Sequence, residues 1–191
     1  MACPSSVRVV VLVTMLAEAC ACGRAQAYRV RPLAQRVMPL PLLNSGTLTL
    51  SASPASVTFA LVSKGTAAGS SGVTITTTWT YTGSAPTLNL YGYFASSTAA
   101  LTDGRSPADL IPSSAVLGMM TTGVPTAYTA FTQTVPFGGA GAGLTLLDVT
   151  KQKPKASSRT DVLDLEINLS SLPKLPAGTY TGTLTLQATM M

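Results

Sequence analysis

The stretch LPAGTYTGTLTLQATMM, residues 175–191, decides the class of fold. Taken every second residue from Gly178, one face carries Tyr180, Gly182, Leu184, Leu186, Ala188 and Met190. The other carries Thr179, Thr181, Thr183, Thr185, Gln187 and Thr189. A period of two places alternate side chains on opposite faces of a pleated strand, one toward a core and one toward water. The spacing predicts a strand over 178–190 that closes a sheet.

The same pattern recurs upstream. TLTLSAS (47–53), SVTFALV (56–62), VTITTTWTY (73–81), TLNLYGYFA (87–95), AVLGMM (115–120), AYTAFTQTVPF (127–137), LTLLDV (144–149) and DVLDLEINL (161–169) read as strands. Between them lie Pro54, the flexible turn KGTAAGSSG (64–72), an irregular stretch at 96–114 with a turn at Asp103-Gly104-Arg105, GGAGAG (138–143) and a basic loop KQKPKASSR (151–159). No helical periodicity is sustained, and β-branched residues suit a pleated, half-buried surface. Short strands at regular spacing with Gly/Pro turns predict an all-β chain, a single antiparallel Ig-like β-sandwich over 46–191.

Two segments precede that domain. Arg8, the apolar run VVVLVTMLA (9–17) and the small-x-small site Ala25-Gln26-Ala27 mark residues 1–27 as a signal peptide, with a run too short to span a bilayer comfortably. The mature chain is thus expected in the periplasm, outside the cell or on its surface, with no membrane span. Removing 27 of the 191 residues leaves 164, takes away Cys3, Cys20 and Cys22, and changes the net charge from +5 to +4. Core and strand ladders alone must then hold the fold. Residues 28–45 form an N-terminal extension with three prolines, Pro32, Pro39 and Pro41, and a mostly apolar even face that includes Val30, Ala34, Met38, Leu40 and Leu42. It reads as an extended linker or as a strand for donation.

The residue inventory excludes much chemistry. The mature chain has neither His nor Cys, which removes Ser-His-Asp and Cys-His nucleophiles and ordinary zinc sites. Its carboxylates are Asp103, Asp109, Asp148, Asp161, Asp164 and Glu166. Asp164 and Glu166 share a strand face, about 7 Å apart, a spacing open to an acid/base or calcium role and equally to a solvated face opposite Leu163, Leu165 and Ile167. GGAGAG lacks the Lys-Ser/Thr of a phosphate loop. Lys151, Lys153, Lys155 and Arg159 read as a solvated basic loop, one that could also touch an acidic polysaccharide or membrane surface, without the basic stripe of a nucleic-acid binder. Trp79, Tyr81, Tyr91 and Tyr93 could line a sugar-binding face or fill the core. No catalytic, cofactor or metal residue is assigned, and a non-enzymatic protein is expected.

The tail also carries a family resemblance. Gly178 is the fourteenth residue from the last, and the apolar alternation runs from it to Met190. Subunits of chaperone–usher pili end similarly, with an aromatic where Met190 stands. LTLSASPASVTF (48–59) and AGTYTGTLTL (177–186) resemble the opening and closing strands of the spore coat protein U-like branch of such subunits. LTLSASPASVTFALVSKGTAAGSSGVTITTTWTYTG also resembles bacterial Ig-like repeats, some of them carbohydrate-associated. The pilin resemblance implies a structural or adhesive fibre or coat subunit that self-associates by strand donation and meets a periplasmic chaperone. The closing strand, with Gly178, Tyr180, Leu184, Leu186, Ala188 and Met190, would wall a groove, and Val30, Ala34, Met38, Leu40 and Leu42 would fill another subunit's. The repeat resemblance implies a self-contained binding module, for carbohydrate among other ligands.

Overall fold

The computed structural model describes residues 46–151, 153 and 155–191; the expected signal peptide (1–27) and extension (28–45), with Val30, Ala34, Met38, Leu40 and Leu42, lie outside the described residues. The described strands are β1 (Gly46–Ser53), β2 (Thr66–Ala68), β3 (Val73–Tyr81), β4 (Leu88–Tyr93), β5 (Leu101–Thr102), β6 (Leu110–Ile111), β7 (Val116–Met120), β8 (Thr129–Ala130), β9 (Gly143–Val149), β10 (Ala156–Asn168) and β11 (Thr185–Met190). One 3-10 turn, Ser113–Ala115, interrupts them.

Every pairing between these strands is antiparallel. The largest sheet runs β1-β3-β10-β7-β8, with β2 also on β10; a second runs β11-β4-β9; β5 and β6 form a small third. The expectation of an all-β chain therefore holds, while that of a single sandwich is corrected to three sheets of six, three and two strands. Two-residue strands such as β5 and β6 arise where Asp103, Pro107 and Pro112 stop longer pairing, since proline lacks a ladder donor.

Strict alternation explains β3. Val73, Ile75, Thr77, Trp79 and Tyr81 are buried, whereas Thr74, Thr78 and Thr80 are exposed. Leu163, Leu165 and Ile167 of β10 join that face, and Leu88, Leu90, Leu144, Leu146 and Leu186 of the second sheet complete one core. A Cβ on Gly118 of β7 would lie 3.1 Å from the side chains of Leu144, Leu163 and Phe131. Glycine there lets β7 approach the second sheet.

The outer face of β1, β3 and β10 is a field of hydroxyls. Thr47 stands opposite Thr80, Thr49 opposite Thr78 and Ser51 opposite Thr76, while Thr160 faces Thr76 and Ser158 faces Thr78 across the other ladder. Thr47 bonds Thr80 at 2.7 Å and Thr76 bonds Thr160 at 3.3 Å through their hydroxyls.

Several element expectations change. SVTFALV (56–62) makes a single bridge, Phe59 to Gly69, because Val57 and Phe59 plug the core from an irregular segment. The flexible turn 64–72 instead supplies β2. AYTAFTQTVPF keeps only Thr129–Ala130 as strand, and Phe131 is fully buried beside Phe94, ring centroids 5.3 Å apart. β10 begins at Ala156, so Ala156–Arg159 of the expected basic loop are strand.

Candidate functional site

The closing strand is shorter than its alternation predicts. It is regular only over Thr185–Met190; Gly178, Tyr180 and Leu184 precede it. Thr181 exchanges backbone hydrogen bonds with Thr102 at 2.8 and 2.9 Å, and a Cβ on Gly182 would fall 2.0 Å from the Ala100 carbonyl oxygen. The chain there is threading past the small sheet, which costs it the ladder of β4. Tyr180 is nonetheless buried and donates its hydroxyl to the Pro176 carbonyl at 3.2 Å. Leu184, Leu186 and Ala188 are buried and Met190 packs against the core, as the alternation requires.

Hydrogen-bond phase defines what β11 offers. Thr87 and Met191 exchange both backbone bonds, 2.7 and 3.0 Å. The register then runs unbroken from Met190↔Leu88 to Thr185↔Tyr93. In an antiparallel ladder such bonded pairs alternate with unbonded ones, so Thr189, Gln187 and Thr185 bond toward β4. The core-facing Leu186, Ala188 and Met190 turn their N–H and C=O groups to the opposite edge. No strand among the described residues pairs with that edge. The neighbouring edge, β1, is likewise unpaired on its outer side, and a Cβ on Gly46 would lie 2.7 Å from Met190 Cε. The two edges thus converge at the Gly46 end. Neither GTLTLSAS (46–53) nor TLQATM (185–190) carries a charge.

Other sites named from sequence disperse. Trp79 and Tyr81 are buried in the core, and Tyr81 also borders an open surface pocket with Gly83, Ala85, Lys153 and Lys155. Tyr91 and Tyr93 lie on the outer face of β4, half-buried under Phe137, with centroids 6.1 Å away from each ring. Tyr93 donates to Gln187 Oε1 at 3.0 Å. This cluster fastens the 132–142 loop to the sheet. Asp164 and Glu166 do share the outer face of β10, opposite buried Leu163, Leu165 and Ile167. Burial, with the charges of these two acids added, raises the pKa of Tyr128 nearby. Asp103 accepts backbone N–H bonds from Arg105 and Asp109 at 3.1 and 3.0 Å, so the expected turn is real and its carboxylate is part of it. Asn168 accepts the Ser170 N–H at 3.0 Å, tying down the turn after β10. Among the described residues no group of three or more His, Cys, Asp or Glu could hold a metal ion.

One cluster escaped the sequence reading. Asp161 is fully buried, and Arg159 binds it through Nε at 2.7 Å and through Nη2. Thr122 donates its hydroxyl to the same carboxylate, and Arg159 also donates to the Thr122 carbonyl at 3.0 Å. Burial alone would raise the Asp161 pKa; the hydrogen bonds from Arg159 and Thr122 and the Arg159 charge outweigh it, and the pKa is lowered. The signal was parity: 161 is in phase with 163, 165 and 167 on the core face.

No family model, curated protein or solved structure matches this chain.

Proposed function

We propose that this chain is an exported structural subunit of a surface fibre or coat, assembled by β-strand addition along β11. The observation that carries this reading is the outward turn of the Leu186, Ala188 and Met190 backbone groups on an uncharged strand that, among the described residues, pairs only with β4. Such an edge offers main-chain bonds for affinity and an apolar inner face for alternate side chains, the two requirements of strand addition. Unprotected edges of this kind are otherwise a hazard that proteins suppress. Strand order supports the reading. β1-β3-β10-β7 facing β11-β4 is the arrangement of an Ig-like sandwich whose final strand, beside β11, is supplied from elsewhere. The extension 28–45 is the donor segment, and a periplasmic chaperone would cover the edge before assembly.

Size-exclusion chromatography with light scattering on residues 28–191 tests the proposal, beside the chain lacking 28–43 with and without a 28–43 peptide. Heat-resistant oligomers from the longer chain, and a truncated chain that the peptide stabilises as a monomer, are expected. Monomers indifferent to the peptide would refute it.

A further inference from the structure

Between β10 and β11 the chain makes no strand over residues 170–178, where LPKLP (172–176) carries two prolines that have no ladder donor. Three side chains hold its carbonyls instead. Lys64 Nζ donates to Leu172, Arg105 Nη2 to Ala177 at 3.2 Å, and the Tyr180 hydroxyl to Pro176 at 3.2 Å. The segment is thus an arch pinned near both of its ends.

Between this arch and the turn at 62–65 lies a cavity of about 210 Å³. Leu169 and Tyr180, both buried, form its floor, and Leu61 and Leu175 stand half-buried at its sides. Burial, with the charges of Asp109 and Asp103 added, raises the Tyr180 pKa, so the floor is uncharged at neutral pH. An apolar cavity of about 150 Å³ takes up benzene. At about 30 Å³ for each water-sized group, this one has room for about seven heavy atoms.

The charged residues of the lining are Lys64 and Lys174, and no carboxylate is among them. Asp103 is paired with Arg105 at 3.3 Å. The turn fixes Lys64: the Gly65 N–H bonds the Val62 carbonyl at 3.0 Å, and the Leu169 N–H bonds the Gly65 carbonyl at 2.8 Å. Lys64 itself sits at φ +59°, where glycine is at ease and a residue with a Cβ is strained. The chain places an ammonium at the cavity where a relaxed turn would take glycine. An ammonium has three donors; Leu172 takes one and two remain. Lys174 is exposed and has no hydrogen-bond or ion-pair partner among the described residues.

We propose that this cavity binds a small amphipathic carboxylate, with its aliphatic chain on Leu169 and Tyr180 and its carboxylate at the ammonium groups of Lys64 and Lys174. An acidic sugar fits less well, because its hydroxyls would meet Leu61, Leu169 and Leu175, which offer them no side-chain partner. A bare anion would leave the apolar floor unused. The site lies on the arch ahead of β11 and is independent of strand addition.

Calorimetric titration of the exported full chain with hexanoate tests this, with butanoate, acetate and hexylammonium beside it. Hexanoate is expected to bind saturably, with affinity rising about fourfold per added methylene from butanoate and acetate and hexylammonium far weaker. Lys64→Met also removes the tie to Leu172, so Lys174→Glu carries the charge test; it is expected to weaken hexanoate about tenfold. Hexanoate affinity unchanged in Lys174→Glu, or equal binding of hexylammonium, would overturn the site. Acetate binding as tightly as hexanoate would overturn the apolar pocket and leave only an ion on surface lysines. Absence of saturable hexanoate binding would remove the site altogether and leave strand addition untouched.

Discussion

The two sides of the molecule treat their strand edges in opposite ways. On one side β8 is two residues long, and β9 is bulged against β4 between Leu90 and Tyr91. The β9 edge is also covered: Thr145 donates its N–H to Gln133 Oε1 at 2.8 Å, and Gln133 bridges Gly143. On the other side β1 and β11 are regular, uncharged and unpaired at their outer edges among the described residues. Short strands, bulges and covering loops are the devices that prevent edge pairing. Their concentration on one side leaves the other without them among the described residues, and it is this contrast on which the proposed strand addition rests.

Between the two edges, the largest loss is expected at the ion pair carried by the central strand β10. Asp161→Ala removes the buried carboxylate that holds Arg159 and Thr122, leaving a partly buried guanidinium without its counter-charge; a loss of about 3 kcal/mol is expected in urea denaturation. The pH dependence has a definite sign. The folded pKa of Asp161 is lowered, so its contribution is complete above the unfolded carboxylate value of about 4 and is lost as pH falls through the folded one. Stability curves of the native chain should drop below pH 4 more steeply than those of Asp161→Asn.

The approach to the open edge is more tolerant. Gly182→Ala would press a methyl group against the Ala100 carbonyl and should cost about 1–3 kcal/mol, the usual penalty of overpacking, read as a lower thermal midpoint. Thr49→Lys puts a charge on the exposed face of β1 and should leave stability within about 0.5 kcal/mol. Its effect should appear in assembly, as fewer oligomers by light scattering, and an unchanged size distribution would weaken the contrast between the two sides. Replacing Asp164 and Glu166 by alanine should change stability by no more than about 0.5 kcal/mol and leave assembly intact. Loss of a glycosidase activity in that double variant, without unfolding, would instead revive the paired-carboxylate chemistry.

Much of the sheet structure was legible because period-two alternation reports burial directly. VTITTTWTY and DVLDLEIN behave as read, with even the outward Asp164 and Glu166 in place. SVTFALV and AYTAFTQTVPF misled because an apolar residue on an irregular loop can enter the core singly, as Phe59 and Phe131 do. Arg159 was assigned to a solvated loop because charge suggests exposure, whereas strand phase points it inward to Asp161. For the candidate site, the apolar face of β11 could be read from the sequence. The lateral direction of its hydrogen bonds could not, because that phase is fixed by the pairing of Met191 with Thr87, which is distant in the sequence.

The hydroxyl field on β1, β3 and β10 bears on the conditions this protein can meet. Charged surfaces change their repulsion and hydration with ionic strength, over a screening length that shrinks from about 10 Å at 0.1 M to about 3 Å at 1 M salt. Threonine and serine hydroxyls donate and accept bonds to water without ionising in the ordinary pH range. The hydroxyls of Thr47, Thr49, Thr76, Thr78, Thr80, Ser158 and Thr160 therefore offer water the same donors and acceptors in acid, brine or fresh water. Only toward the far end of β10, where Asp164 and Glu166 share that outer face, does the sheet meet the medium through ionised groups.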